Sequence, residues 1–169
     1  MACALPLNMK KYKKHLWCAV MMLLIVAFDQ ITKYLAVLYL KGNAAVTFIP
    51  KVVQFTYAEN TGMAFSMLRG ARWVFIVLTA AVCLFGLWYL FSNRCKSLWA
   101  YWSIGVVLSG GFGNLIDRIL HNYVVDFIEP TFVNFAVFNI ADSAVTLGAI
   151  SLAAYLLYDA FRHKGEKHG

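Results

Sequence analysis

The sequence predicts an all-α membrane protein: a four-transmembrane-helix bundle with a small extracytoplasmic β-cradle in the first outer segment and a short helix in the second. Two observations lead there. Apolar residues make up 62% of the 169 and charged residues 14%, against roughly 25% charged in soluble domains. A 19 kDa globule cannot bury that much apolar surface. The apolar residues are also gathered into four runs near the length of about 20 residues that crosses a hydrocarbon core as a helix. Disorder needs low hydrophobicity and high charge, and this chain has neither.

The first run is Leu16 to Leu40, interrupted only by Asp29 and Lys33; the second is Trp73 to Phe91, between Arg72 and Arg94. The third, Leu98 to Ile116, is bounded by Lys96 and Asp117, and the fourth, Asn139 to about Tyr158, has one acid, Asp142, near its start. None alternates as a strand would, and lipid admits only helices or closed barrels. Each is therefore read as a span of one polytopic domain, residues 1–169, with outer segments at about 41–72 and 117–138. Lys10, Lys11, Lys13 and Lys14 followed by thirteen uncharged residues resemble a secretory signal. Asp29-Gln-Ile-Thr-Lys33 then stands where a small-residue cleavage site is needed, which favours a span. Met9 is an alternative start.

Basic residues orient the bundle. Lys10, Lys11, Lys13, Lys14, Arg94, Lys96, Arg162, Lys164 and Lys167 fall on the side of both termini, nine of the fifteen. Lys41, Lys51, Arg69, Arg72 and Arg118 fall on the other side, so both termini are expected in the cytoplasm. The net charge of +7 then reflects topology and attraction to anionic membrane lipids, and no nucleic-acid partner is expected.

In the first outer segment, Lys51-Val-Val-Gln-Phe-Thr-Tyr57 partly alternates and Asn60 with Gly62 signals a turn. A strand-containing platform is expected there. The four cysteines and four histidines show no metal-ligand or redox spacing. No metal and no cofactor are expected.

Acids at membrane depth are expensive and tend to mark function. Asp29 lies in the outer half of span one, and Lys33, one turn on, is placed to pair with it as a structural ion pair. Asp142 opens span four with no basic residue later in that span, and an acid at a helix N-terminus is also favoured by the helix dipole. Asp126 stands among Val124, Val125, Phe127 and Ile128, which argues against a solvated loop charge. Two carboxylates from consecutive span ends can meet at one depth. One proton shared between them leaves an acid and a base, able to activate water and protonate a leaving nitrogen. Gly105, Ser109 and Gly113 recur on span three and permit close helix approach, which is expected to help bring Asp126 and Asp142 together.

Five strings in order, Asp29-Gln-Ile-Thr-Lys33, Glu59-Asn-Thr-Gly-Met-Ala-Phe65, Gly110-Gly-Phe-Gly-Asn-Leu-Ile-Asp-Arg118, Val124-Val-Asp-Phe-Ile128 and Phe138-Asn-Ile-Ala-Asp-Ser143, together resemble the lipoprotein signal peptidases, or signal peptidase II. The resemblance covers nearly the whole chain apart from its basic ends. It implies an intramembrane aspartic endopeptidase of the bacterial cytoplasmic membrane. The implied substrates are prolipoproteins whose cysteine carries a diacylglyceryl group, cut just before that cysteine. Asp126 and Asp142 match the catalytic pair. Asn60, Gly62, Gly110, Asn114, Arg118, Asn139 and Ala141 match positions that bind substrate or support the dyad, and Asp29 and Lys33 match a structural pair. Met63 stands where a smaller residue is often seen, and the residues before Met9 are untypical. A monomer is expected.

Asn114 and Arg118, one turn apart, are placed to present an amide and a guanidinium on one face, and Asn139 to fix the geometry of Asp142. Capping and loop satisfaction are the alternative roles for these polar residues. A small four-span transporter or proton carrier would also bury acids, but internal repeats or broken midplane helices, its usual marks, are not found. A non-catalytic membrane scaffold would tolerate loss of either acid.

Overall fold

Among the described residues, four long helices and three short strands follow one another in the order α1 (Leu7–Leu40), β1 (Val46–Ile49), β2 (Val53–Asn60), α2 (Arg72–Phe91), α3 (Leu98–Leu120), β3 (Val124–Pro130) and α4 (Ile140–Gly165). They are seen in a computed structural model that describes residues 7–62, 72–92 and 94–165. Met63, Arg69 and the residues before Leu7 lie outside the described residues.

The helices extend past the apolar runs. Helix α1 begins at Leu7 rather than Leu16, because lysine is a good helix former and no proline or glycine stands between Leu7 and Leu16. Helix α3 continues to Leu120, so Asp117 and Arg118 belong to its last turn instead of to a loop. Its start is capped by Ser97, whose hydroxyl accepts from Ala100 N at 3.3 Å. By length and composition α1, α2 and α4 can cross a membrane. Helix α3 has 23 residues, but serine, glycine and Asn114 dilute its apolar content.

Helix α3 packs against all three other helices. It buries apolar residues, Ala100, Tyr101, Leu108 and Leu115, and polar ones as well: Ser109, Asn114 and Asp117 lie inside, together with Asp29, Lys33, Asp126 and Asn139. The outer surface is apolar, with Leu23, Val77 and Leu147 each about two-thirds exposed. An apolar exterior over buried polar groups is the pattern that a hydrocarbon solvent favours, since apolar side chains need no shielding there and polar ones do.

The glycine stripe divides its work between neighbours. Gly105 faces Cys18 and Met21 of α1, and Gly113 faces both Asp29 of α1 and Ala141 of α4. The tight α3–α4 approach falls to Gly110, where an added Cβ would overlap the Ala141 carbonyl oxygen. The stripe thus clamps α1 as much as α4.

The second outer segment does not form the expected short helix. Among the described residues it holds a strand: Asn122 takes φ 69° just after α3, and β3 pairs antiparallel with β2 in the sheet order β1-β2-β3. Valine and phenylalanine favour a strand here, and the free edge of β2 supplies partners for its backbone groups. The chain then folds back, so that Phe127 and Ile128 donate their N–H groups to Phe138 O at 3.1 and 2.8 Å. That return delivers Asn139 and the start of α4 to the side of Asp126.

Candidate active site

Asn139 sits just ahead of α4 and is fully buried. Its Oδ1 accepts from Asp142 N at 2.9 Å, and its own N–H donates to Asp142 Oδ2 at 3.3 Å. This is a reciprocal capping box with aspartate in place of the usual glutamate. The Asn139 side-chain amide points the other way, donating to Asp126 Oδ1 at 2.6 Å with Val125 O and Asn114 Oδ1 each 3.2 Å away. One residue therefore touches both carboxylates.

Each carboxylate has a second donor. Asn60 at the end of β2 gives its amide N–H to Asp126 Oδ2 at 2.9 Å, and its Oδ1 accepts from Gly62 N at 2.9 Å. Gly62 has φ 90°, a conformation that side chains other than glycine's rarely allow, so the turn that aims Asn60 needs glycine. Asn114 of α3 donates to Asp142 Oδ1 at 2.7 Å. Asp126 is only 2% exposed. Burial pushes its carboxyl up to about 6, the Asp142 charge adds to the rise, and the Asn60 and Asn139 donors partly offset it.

Behind the two carboxylates lies a buried ionic cluster. Lys33 Nζ, 3% exposed, reaches Asp29 Oδ2 at 2.8 Å, Asp117 Oδ2 at 3.1 Å and Asn114 Oδ1 at 3.0 Å. Three partners match the three ammonium protons. Asp29 Oδ1 accepts from Ala141 N at 2.8 Å, so a carboxylate of α1 caps the first turn of α4. Asp117 Oδ2 accepts from Val125 N at 3.0 Å and ties α3 to β3. Gln30 donates to Asp117 Oδ1 at 2.9 Å and to Gly113 O at 3.1 Å. Among the described residues no buried side-chain polar atom lacks a partner, which is what such a cluster needs to persist.

All the site candidates read from the sequence stand at one end of the bundle. Asp126, Asp142, Asn60, Asn114 and Asn139 are in direct contact; Asp29, Lys33 and Ala141 form the layer behind them; Gly62 and Gly110 shape the backbone. Arg118 stands at the edge, its guanidinium 3.5 Å from Asn114 O, with the Asp142 and Asp126 charges acting on it. Asp117 and Gln30 were missed as site residues. The spacing of Gly110, Gly113, Asn114 and Asp117 puts them on one helix face, which would have pointed to Asp117. Reading residue 117 as the first of a loop hid it.

A cleft of about 550 Å³ opens beside the dyad, lined by Asn60, Asp142, Phe135, Phe138, Thr146 and Leu147. Its walls are apolar apart from the groups near the carboxylates. An extended peptide could lie there with a backbone carbonyl against the acids. Among the described residues no group of three or more His, Cys, Asp or Glu side chains is arranged to hold a metal ion.

A family model and curated relatives point to one family. The model for Signal peptidase (SPase) II matches residues 21–158. The lipoprotein signal peptidase of Streptococcus pyogenes serotype M5 (strain Manfredo) is 39% identical over 144 residues, covering 85% of this chain and 94% of that protein. That of serotype M18 (strain MGAS8232) matches to the same extent. A bacterial membrane enzyme solved by the in meso method at 2.3 Å has a TM-score of 0.78 at 31% identity, covering 85% of this chain and 88% of that one. A bacterial membrane enzyme solved by the same method at 1.9 Å gives the same score and identity, covering 84% and 93%.

Proposed function

Since the chain belongs to the signal peptidase II family, we propose that it is an aspartic endopeptidase that removes the signal peptide from diacylglyceryl-modified prolipoproteins, cutting just before the lipidated cysteine. The observation that carries the aspartic assignment is the pairing of Asp126 and Asp142 through Asn139 at the wall of an apolar cleft.

The two acids have unequal surroundings. Asp126 is the one whose burial holds a proton to higher pH. Asp142 sits in the first turn of α4 and lines the cleft, where it can meet water. Ionised Asp142 takes a proton from water as the water oxygen attacks the scissile carbonyl carbon, and Asp126 gives its proton to the carbonyl oxygen. When the tetrahedral intermediate collapses, the C–N bond breaks and the leaving nitrogen takes the proton that Asp142 had received. The hydroxyl returns its proton to Asp126 as the acid product forms. Asn60, Asn114 and Asn139 orient the carboxylates, and Arg118, at the edge of the site, binds the substrate backbone.

This reading makes α3 a fourth span, its polar residues shielded by the other three helices. The whole chain is then one polytopic domain, working as a monomer in the bacterial cytoplasmic membrane. Both termini lie on the cytoplasmic side, and the sheet rests at the opposite interface as a cradle. Lys13 and Lys14 near one end, and Asp126 with Asp142 at the other, support that polarity. A scissile bond beside a lipid-bearing cysteine lies near an interface, where carboxylates on helix and strand ends can meet it with water available.

The test is cleavage of a purified diacylglyceryl-modified precursor by Asp126→Asn and Asp142→Asn enzymes in detergent. Both are expected to fall to less than about a thousandth of the parent rate, as loss of a core acid–base group does, while remaining folded. Normal turnover by either one overturns the dyad. Equal cleavage of a precursor without the lipid overturns the substrate assignment.

A further inference from the structure

Far from the dyad, the N-terminal half of α1 and the start of α3 line a cleft of about 740 Å³. Its wall is apolar along Trp17, Met21 and Ile25 of α1 and Leu98 and Trp102 of α3, and among the described residues its charged groups are Lys13 and Lys14. Trp17, Leu24 and Leu98 are each more than half exposed, so the groove is open to whatever surrounds the bundle.

We infer that this groove binds one anionic glycerophospholipid of the leaflet in which α1 begins, with the phosphate at Lys13 and Lys14 and an acyl chain along Trp17 to Ile25. Depth, charge and aromatic placement specify that occupant. From Lys13 to Ile25 is twelve residues, about 18 Å of helix, slightly more than half of the roughly 30 Å hydrocarbon core. The groove is thus one leaflet deep. Among the described residues its charge sits at one end, and neither lysine is ion-paired to an acid there, so the charge of both is left for an anionic ligand. Lys14 Nζ rests 4.1 Å from the centroid of the buried Tyr101 ring, which fixes one ammonium group at the mouth in advance. Leu98, which lines the groove, is the first residue of α3, so the positive end of that helix's dipole lies beside the mouth. Trp17 and Trp102 flank the entrance as interfacial aromatic residues do. A zwitterionic lipid would fill the groove but bring no net charge to its mouth.

The experiment is native mass spectrometry of the full chain released from bilayer discs of equal phosphatidylglycerol and phosphatidylcholine. The parent is expected to retain one phosphatidylglycerol in preference to phosphatidylcholine. The double substitution Lys13→Gln/Lys14→Gln should lower that retention by about 25-fold, at about fivefold per lysine. Arg94→Gln/Lys96→Gln, which removes the same charge from the same end outside the groove, should change it by less than about twofold. Leu24→Trp fills the groove while keeping both lysines, and should also displace the lipid. Peptidase activity of each variant shows that it is folded. Equal retention of the two lipids, unchanged retention in the Lys13/Lys14 variant, or an equal drop in the Arg94/Lys96 control each overturns the site.

Discussion

The Asn139 amide lies 2.6 Å from Asp126 Oδ1, so the residue that caps α4, and through its cap holds Asp142, also holds the strand carboxylate. The two acids are 16 positions apart on different kinds of element. Their relative placement depends on one side chain, which serves folding and chemistry at once.

Asn139→Ala should therefore fail in two ways. Loss of the cap is expected to destabilise the protein by about 1 kcal/mol, read as a modest drop in the thermal unfolding midpoint. Cleavage should fall by more than about 100-fold, since both carboxylates lose a positioning contact. A rate loss no larger than the loss of folded protein would reduce Asn139 to a cap.

Asp126 predicts the pH response. Its carboxyl is raised from 3.8 to about 6, so it holds its proton below about pH 6 and loses it above. A mechanism needing that proton should show kcat/KM declining as pH rises through about 6. The Asn60 donor favours the anion, so Asn60→Ala should move this limb to higher pH. A limb that stays put or moves down would separate the profile from Asp126. Between 3.8 and about 6 the folded state binds more protons at this group than the unfolded state does, so its contribution to stability shrinks as pH rises across that window.

Lys33→Met leaves Asp29 and Asp117 buried without their counter-charge. Removing one partner of a buried pair typically costs about 3–5 kcal/mol, and here two carboxylates are stranded. The variant should be recovered in far lower yield from the membrane, or unfold at markedly lower temperature. A midpoint within a few degrees of the parent's would mean the cluster is hydrated or rearranges easily.

Gly110→Ala tests geometry without removing any polar group. The added methyl meets the Ala141 carbonyl and Val145, and overpacking of this kind costs about 1–3 kcal/mol. By displacing the first turn of α4 it should lower kcat much more than it raises KM. Equal changes in both would argue against displacement of the dyad.

Arg118→Ala should give the opposite balance. Among the described residues the guanidinium's hydrogen bond is a long one, to Asn114 O at 3.5 Å, so folding should be little affected. Processing of the lipidated precursor should fall by at least about tenfold, as expected when a charged hydrogen-bond donor to substrate is lost. A matching loss of stability would assign Arg118 to the helix end instead.

Helix positions were legible because their signal is local: a run of apolar residues shows its length and its bounding charges without knowledge of neighbours. Asp126 and Asp142 stood out for a similar reason, as two of only eight acids, each set beside an apolar stretch. Helix ends were less legible, since lysine and arginine carry a helix on as readily as they end an apolar run. Misjudging the end of α3 put Asp117 in a loop and hid its contact with Lys33. The strand at Val124–Pro130 was hidden differently. Its hydrogen bonds go to β2, more than 60 positions earlier, and no periodicity within one segment can show that edge.

The sequence by itself determined that this chain needs lipid as solvent, where its helices run, and which few carboxylates and amides are costly enough to demand a use. Those follow from composition and spacing, which each segment carries alone. Only the tertiary structure decided that Asn139 joins the two acids, that Lys33 serves three partners, and that Asp29 caps a helix 112 positions away. Such contacts are set by how closely α3 lets α1 and α4 approach, and that distance depends on Gly110 and Gly113 meeting particular atoms of other helices.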